Sequence, residues 1–158
     1  TQGWAVMAEC LLGNGDRAYE YYRAAMPAAY NDRAEIRQCE PYVQAQTTYS
    51  TYSPRAGNAR TSWLTGAAAW SYFSAAQYIL GIRPESDGLR VDPCIPSAWD
   101  GFRAARRFRG ASYQIIVRNP CHISKGVTRM TVDGELLAGN LIPPGVPGKT
   151  YLVEVELG

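Results

Sequence analysis

Between Ser62 and Gly66 the chain reads Ser-Trp-Leu-Thr-Gly and runs directly into Ala-Ala-Ala-Trp70. Hydroxyl-bearing and small residues at the opening of an apolar helical run stand beside backbone N–H groups that have no intrahelical partner. With the helix dipole behind them, such groups favour an anion. Ser62, Thr65 and Gly66 are therefore the first candidates for chemistry. Metal and acid–base chemistry find little support among the other residues. His122 is the only histidine and has no partner at ligand spacing, and Cys10, Cys39, Cys94 and Cys121 form no C-x-x-C pair, so no metal centre is expected. Glu40, in Glu-Pro-Tyr, could serve as an acid but reads first as a carboxylate bonding neighbouring backbone at a domain seam. Asp133, followed by Gly134, reads as turn chemistry.

The elements that must position these residues fall into two textures. From Thr1 to about Gly81 the chain is rich in Ala, Leu, Tyr and Trp at helical spacing. Gly3 to Leu12 is apolar on most sides and stops at Gly13-Asn-Gly, a C-cap signal. A second, amphipathic helix starts at Asp16, with Ala18, Tyr21, Tyr22, Ala25 and Met26 as its packed stripe and Pro27 ending or kinking it. A third helix is expected from Ser62 to about Leu80. It is apolar nearly all round, which predicts burial on both sides, with Trp63 and Trp70 packing one heptad apart. Residues 35–59 show no period, and a connection that long is more often functional than accidental.

After Pro84 the pattern becomes β. Leu89–Asp92, Phe102–Arg109, Ser112–Arg118, Thr128–Val132, Glu135–Leu137 and Tyr151–Leu157 read as strands, with hairpins at Gly110 and at Asp133-Gly134. A run of antiparallel strands of this kind suggests part of a β-sandwich. The expected fold class is thus an α+β fragment, helices first and antiparallel strands second.

Composition narrows the function classes. A net charge of +2 is too small to argue for nucleic acid or an acidic membrane surface, and the run Arg103, Arg106, Arg107, Arg109 reads as a solvated strand face. Four scattered cysteines fit reduced thiols in a cytoplasmic protein. No apolar run reaches membrane-spanning length and no signal-peptide pattern opens the chain. The first residue is Thr, and the expectation is a processed product or a piece of a longer polypeptide.

The order Glu40-Pro-Tyr-Val, Gln46, Ser62-Trp-Leu-Thr-Gly66, Trp70, Tyr78-Ile-Leu-Gly-Ile-Arg-Pro84, Asp92-Pro-Cys-Ile-Pro96, Trp99 and Phe108-Arg-Gly110 resembles the C-terminal part of the cellobiose and chitobiose phosphorylase family, with a lean towards the chitobiose type. These are inverting β-disaccharide phosphorylases. The resemblance runs from Gly3 to about Pro120. It implies that residues 1–82 are the last helices of an (α/α)6 catalytic barrel and that residues 83–158 form a jelly-roll-like β-sandwich. It implies that Thr65 and Gly66 bind phosphate through hydroxyl and backbone N–H, and that Gln46 lines the sugar–phosphate site. A phosphate-binding histidine is expected immediately before Thr1. The general-acid aspartate is expected further upstream, so no catalytic residue lies in this chain. Inorganic phosphate is a substrate and no cofactor is implied. The implied partners are the N-terminal remainder of the same enzyme, the disaccharide and a second copy in a homodimer. Read from its residues alone, the chain leaves open a non-catalytic carbohydrate-binding or structural module. The apolar helix at residues 62–80 counts against that alternative, because an adaptor would expose it.

Overall fold

A computed structural model describes residues 1–158. Helix α1 (Gln2–Leu12) ends where the spacing predicts: Gly13 takes φ 83°, and its N–H and that of Asn14 bond to the carbonyls of Cys10 and Glu9. Only a residue without Cβ enters that left-handed turn without strain, so the chain reverses at once into α2 (Gly15–Ala25). The missing N–H of Pro27 closes α2, and a 3-10 segment, Pro27–Arg33, leads into the single turn α3 (Ala34–Arg37). Residues 35–59, aperiodic in sequence, hold the end of that turn and the beginning of a small antiparallel hairpin, β1 (Ala45–Thr48) with β2 (Ala59–Ser62).

The third long helix departs from expectation. It starts at Ala67, not Ser62: α4 spans Ala67–Ser74 and continues as a π-turn over Ala75–Ile79. Ser62 belongs to the hairpin, and Trp63 lies outside any helix at φ 68°, so Trp63 and Trp70 do not share a helical face. Backbone pairing of Ala45 with Ser62 claims the segment that apolar spacing assigned to the helix. Nor is α4 covered on both sides. It packs on α1, with Trp4 edge-on to Trp70 at 5.6 Å, but Trp70 and Tyr72 are exposed, as are Trp63 and Leu64 ahead of it.

The remaining strands are β3 (Ile82–Pro84), β4 (Leu89–Val91), β5 (Gly101–Phe108), β6 (Ala111–Arg118), β7 (Val127–Val132), β8 (Glu135–Leu137), β9 (Leu141–Ile142) and β10 (Thr150–Leu157). They form a five-stranded sheet in the order β5-β6-β10-β7-β8 and a three-stranded sheet β3-β4-β9. The expectation of purely antiparallel pairing is corrected at one place: β10 runs parallel to β6 over Thr150–Glu156 and antiparallel to β7. Val153, Val155 and Leu157 are fully buried, and both edges of β10 are paired, by β6 and by β7. Each such side chain contributes about 1.5–3 kcal/mol relative to exposure. The chain between β6 and β7 leaves the gap that β10 fills. Within β5, Arg103 and Arg107 face solvent, but Arg106 shares the half-buried face of Phe102, Ala104 and Phe108, and its Nε has no partner.

One core runs through both textures, from Val6, Cys10 and Ala18 through Ile79, Leu89 and Ile95 to Ile115 and Val155. Polar ties cross the same seam. The Asp16 carboxylate accepts from both N–H and Oγ of Ser97 at 2.9 Å, and Lys125 Nζ donates to the Cys10 carbonyl at 3.1 Å while standing 3.4 Å from Asp92. All four cysteines are free thiols. No group of three or more His, Cys, Asp or Glu side chains has metal-holding geometry, and no helix is long and apolar enough to cross a membrane.

Candidate functional site

Thr65 and Gly66 stand at the mouth of α4. The Thr65 Oγ1 accepts from the Ala67 N–H at 3.0 Å, which closes one of the open donors of the first turn. The Trp70 N–H bonds to the Gly66 carbonyl, while the N–H groups of Gly66, Ala68 and Ala69 have no backbone partner. Because a hydroxyl has one hydrogen and two lone pairs, the Thr65 O–H remains free to donate. Gly66 has an ordinary helical φ of −74°, and a Cβ there would meet only the Trp70 ring at 3.7 and 4.0 Å. Neither strain nor crowding inside the chain demands glycine here.

The hairpin delivers Gln46 to the same region. With Ala45 opposite Ser62 and Thr47 opposite Arg60, Gln46 stands across from Thr61, four residues before Thr65. Gln46 is exposed and lines an open cleft of about 700 Å³ with Thr1, Gln2, Tyr22, Tyr49 and Trp70. The chain's first residues therefore open onto the cleft that holds Gln46, whereas Thr65 and Gly66 lie outside its lining. Ser62, grouped with them by sequence, is half-buried at the end of β2 and not at the helix mouth.

Three features of this region carry no sequence signal. Arg37 donates to the carbonyls of Glu40 at 2.7 Å, Cys39 at 3.3 Å and Val43, and so fixes the turn over residues 39–43. Glu40 Oε1 accepts from the Trp63 Nε1–H at 3.0 Å, a contact across 23 positions, so beside the local backbone N–H expected from sequence Glu40 also bonds a side chain at the hairpin's exit. Its own backbone N–H and the Trp63 indole, helped by the Cys39 thiol and the Ser62 hydroxyl, hold the Glu40 carboxyl below its ordinary value. In the cleft, hydrogen bonding and charge from Arg60, with a smaller contribution from Arg55, hold the Tyr49 phenol below its usual value.

A cluster of neutral donors at a helix mouth, beside an open cleft, can orient an oxyanion without protonating it. Residues 1–81 match the profile of the glycosyl hydrolase 94 superfamily catalytic domain, and residues 82–136 match that of the glycosyl hydrolase family 65 C-terminal domain. The chain belongs to the glycosyl hydrolase 94 superfamily. This member is 46% identical over 155 residues to the N,N'-diacetylchitobiose phosphorylase of Vibrio proteolyticus, covering 98% of this chain and 19% of the relative. The N,N'-diacetylchitobiose phosphorylase of Vibrio furnissii is likewise 46% identical over 151 residues, covering 95% and 19%. The solabiose phosphorylase of Paenibacillus borealis is 34% identical over 152 residues, covering 96% and 20%. All three relatives are named as phosphorylases, and the chain spans about a fifth of their length.

Proposed function

We propose that this chain is the C-terminal part of an inverting β-disaccharide phosphorylase of the chitobiose or cellobiose type, which converts disaccharide and inorganic phosphate into an α-sugar 1-phosphate and a free sugar. The observation that carries this reading is the 46% identity to two N,N'-diacetylchitobiose phosphorylases over nearly the whole chain, combined with the open donors at Thr65–Gly66. In this chemistry a phosphate oxygen attacks the anomeric carbon from one face. The glycosidic C–O bond breaks on the other face, and a carboxylic acid gives its proton to the departing sugar oxygen. That acid belongs to a segment outside these residues, as does the histidine that shares the phosphate.

The contribution of this chain is to hold the nucleophile. A phosphate dianion must be oriented but not neutralised, which suits the Thr65 hydroxyl and the N–H groups of Gly66, Ala68 and Ala69. Gln46, able to donate and accept at once, suits a sugar hydroxyl next to a phosphate oxygen. The exposed apolar side chains Trp4, Leu11, Leu12, Trp70 and Tyr72 support a role for α1 and α4 as helices of a larger (α/α)6 barrel, whose other members cover them. Residues 83–158 complete the reading as a jelly-roll-like sandwich. The enzyme needs no cofactor in this scheme, works in the cytoplasm and pairs as a homodimer.

The test is ³¹P NMR of the full-length enzyme given N,N'-diacetylchitobiose or cellobiose with inorganic phosphate. An α-sugar 1-phosphate that forms only when phosphate is present is the expected result. Release of two free sugars at a rate indifferent to phosphate would make the protein a hydrolase and remove the reading.

A further inference from the structure

The phosphate reading leaves one arrangement unused. Entry into the Thr65–Gly66 turn passes through a backbone that side chains rarely adopt: Thr61 at φ 57° and Trp63 at φ 68° are both left-handed, one β-branched and the other bulky. Such residues keep that conformation only where their surroundings hold them, and they gather at functional sites. What holds Trp63 is not burial, because its side chain is 68% exposed. It is held at its edges. The indole N–H donates to Glu40 Oε1 at 3.0 Å, and the Tyr42 ring meets the indole edge-on at 6.2 Å.

Glu40 is itself anchored. Arg37 grips its carbonyl, Asn58 Nδ2 donates to Gln38 Oε1 at 2.9 Å and ties the turn to the hairpin loop, and buried Val43 roots it in the fold. The Cys39 thiol stands 3.6 Å from Glu40 Oε2, so both carboxylate oxygens face donors of the protein. A carboxylate close to a phosphate site is unfavourable if its charge points at the ligand. Here each oxygen already accepts from a donor of the protein, the indole on Oε1 and the thiol on Oε2, and the indole contact ties Glu40 to Trp63. Trp63 is two residues from Thr65, so the angle at which the chain enters the helix mouth is set at Trp63.

We propose that Glu40 is a positioning residue of the phosphate site: by holding the Trp63 indole N–H it fixes the path of the chain into Thr65–Gly66. The inference rests on the reading of Thr65 and Gly66 as phosphate donors. Glu40 touches neither phosphate nor sugar in this scheme and acts only through Trp63.

The experiment uses full-length enzyme carrying Glu40→Ala, Glu40→Gln or Trp63→Phe, with initial rates measured against phosphate and against disaccharide separately. Losing the grip is expected to raise KM for phosphate about tenfold in Glu40→Ala and in Trp63→Phe, the size of one hydrogen bond to a charged acceptor. KM for disaccharide should stay within about twofold, and unfolding temperature should change little, since the contact is exposed. Glu40→Gln keeps a carbonyl oxygen for the indole and should restore phosphate KM to near the parent value. The double variant Glu40→Ala/Trp63→Phe should be no worse than either single one, because both remove the same bond. Trp63→Phe retains an aromatic ring against Tyr42, so it tests the bond even where Glu40→Ala fails to fold. An unchanged phosphate KM in Trp63→Phe overturns the proposal. So does a parallel loss in kcat, both KM values and stability, which marks a merely structural contact. If the parent enzyme depends on phosphate and Thr65→Val weakens that dependence while the Glu40 and Trp63 variants do not, the positioning role alone fails. If the parent shows no phosphate dependence, both readings fall together.

Discussion

Replacing Thr65 by Val separates the two uses of one hydroxyl. The Oγ1 accepts from the Ala67 N–H at 3.0 Å, a local bond from the residue ahead of the Gly66 N-cap whose loss costs about 0.5–1.5 kcal/mol. Its hydrogen, left over by that bond, is the donor assigned to phosphate. A hydrogen bond to a charged acceptor contributes about 1.5–3 kcal/mol, which corresponds to roughly 10- to 150-fold in KM for phosphate. Valine has nearly the shape of threonine, so neither effect is confused with a cavity. Thr65→Ser keeps both bonds and should stay within about threefold of the parent. The assay is phosphorolysis by the full-length enzyme at saturating disaccharide with phosphate varied, alongside the unfolding temperature of each variant. The expected pattern is a large rise in phosphate KM, an unchanged disaccharide KM and a small drop in unfolding temperature. A phosphate KM that stays within twofold while stability falls would reduce the Thr65 hydroxyl to its local bond with the Ala67 N–H, and the anion site would have to lie elsewhere.

Two further outcomes concern the frame around the site. Gly81 sits at φ 67° where the chain leaves the helices, and a Cβ there would lie 2.1 Å from the Asp92 carbonyl oxygen. Gly81→Ala combines a left-handed backbone penalty with a forced displacement of β4's exit, and should cost about 2–5 kcal/mol. The urea midpoint of the 158-residue chain reads it, and a shift equivalent to under 1 kcal/mol would contradict the close packing of this joint. At the far side of β4, Arg90 donates to both Glu85 oxygens at 2.5 and 2.9 Å and holds that carboxyl below its ordinary value of 4.5. A carboxyl lowered by folding stabilises the protein above the unfolded value, and that contribution disappears as pH falls through the folded one. The two side chains keep 29% and 30% of their surface in solvent, so the pair's contribution is about 0.2–1 kcal/mol. Glu85→Gln should flatten the fall of unfolding temperature below about pH 4.5, and an identical acid profile in the variant would show that the pair adds nothing.

The elements written in local signals were legible in the residues. The stop of α1 at Gly13, the Asp133-Gly134 hairpin and the alternation that makes β6 and β10 half-buried strands all follow from dihedral preference and side-chain period. So did the pairing of Thr65 with Gly66 at a helix mouth, because a hydroxyl followed by small residues is a local pattern. The start of α4 was not legible, for the same reason: Trp63 and Leu64 fit an apolar helical spacing, and nothing local announces that Ser62 will pair with Ala45. The insertion of β10 beside β6 was equally hidden, since the alternation of a strand says which face is buried but not which neighbour lies alongside. The Glu40–Trp63 bond joins residues 23 positions apart whose types suggest a seam contact and a packed helix face. Sequence determined which short segments turn, coil or extend, because those choices depend on neighbours a few residues away. Only the tertiary structure decided which segments meet, because that depends on which buried surfaces and backbone groups find partners across the chain.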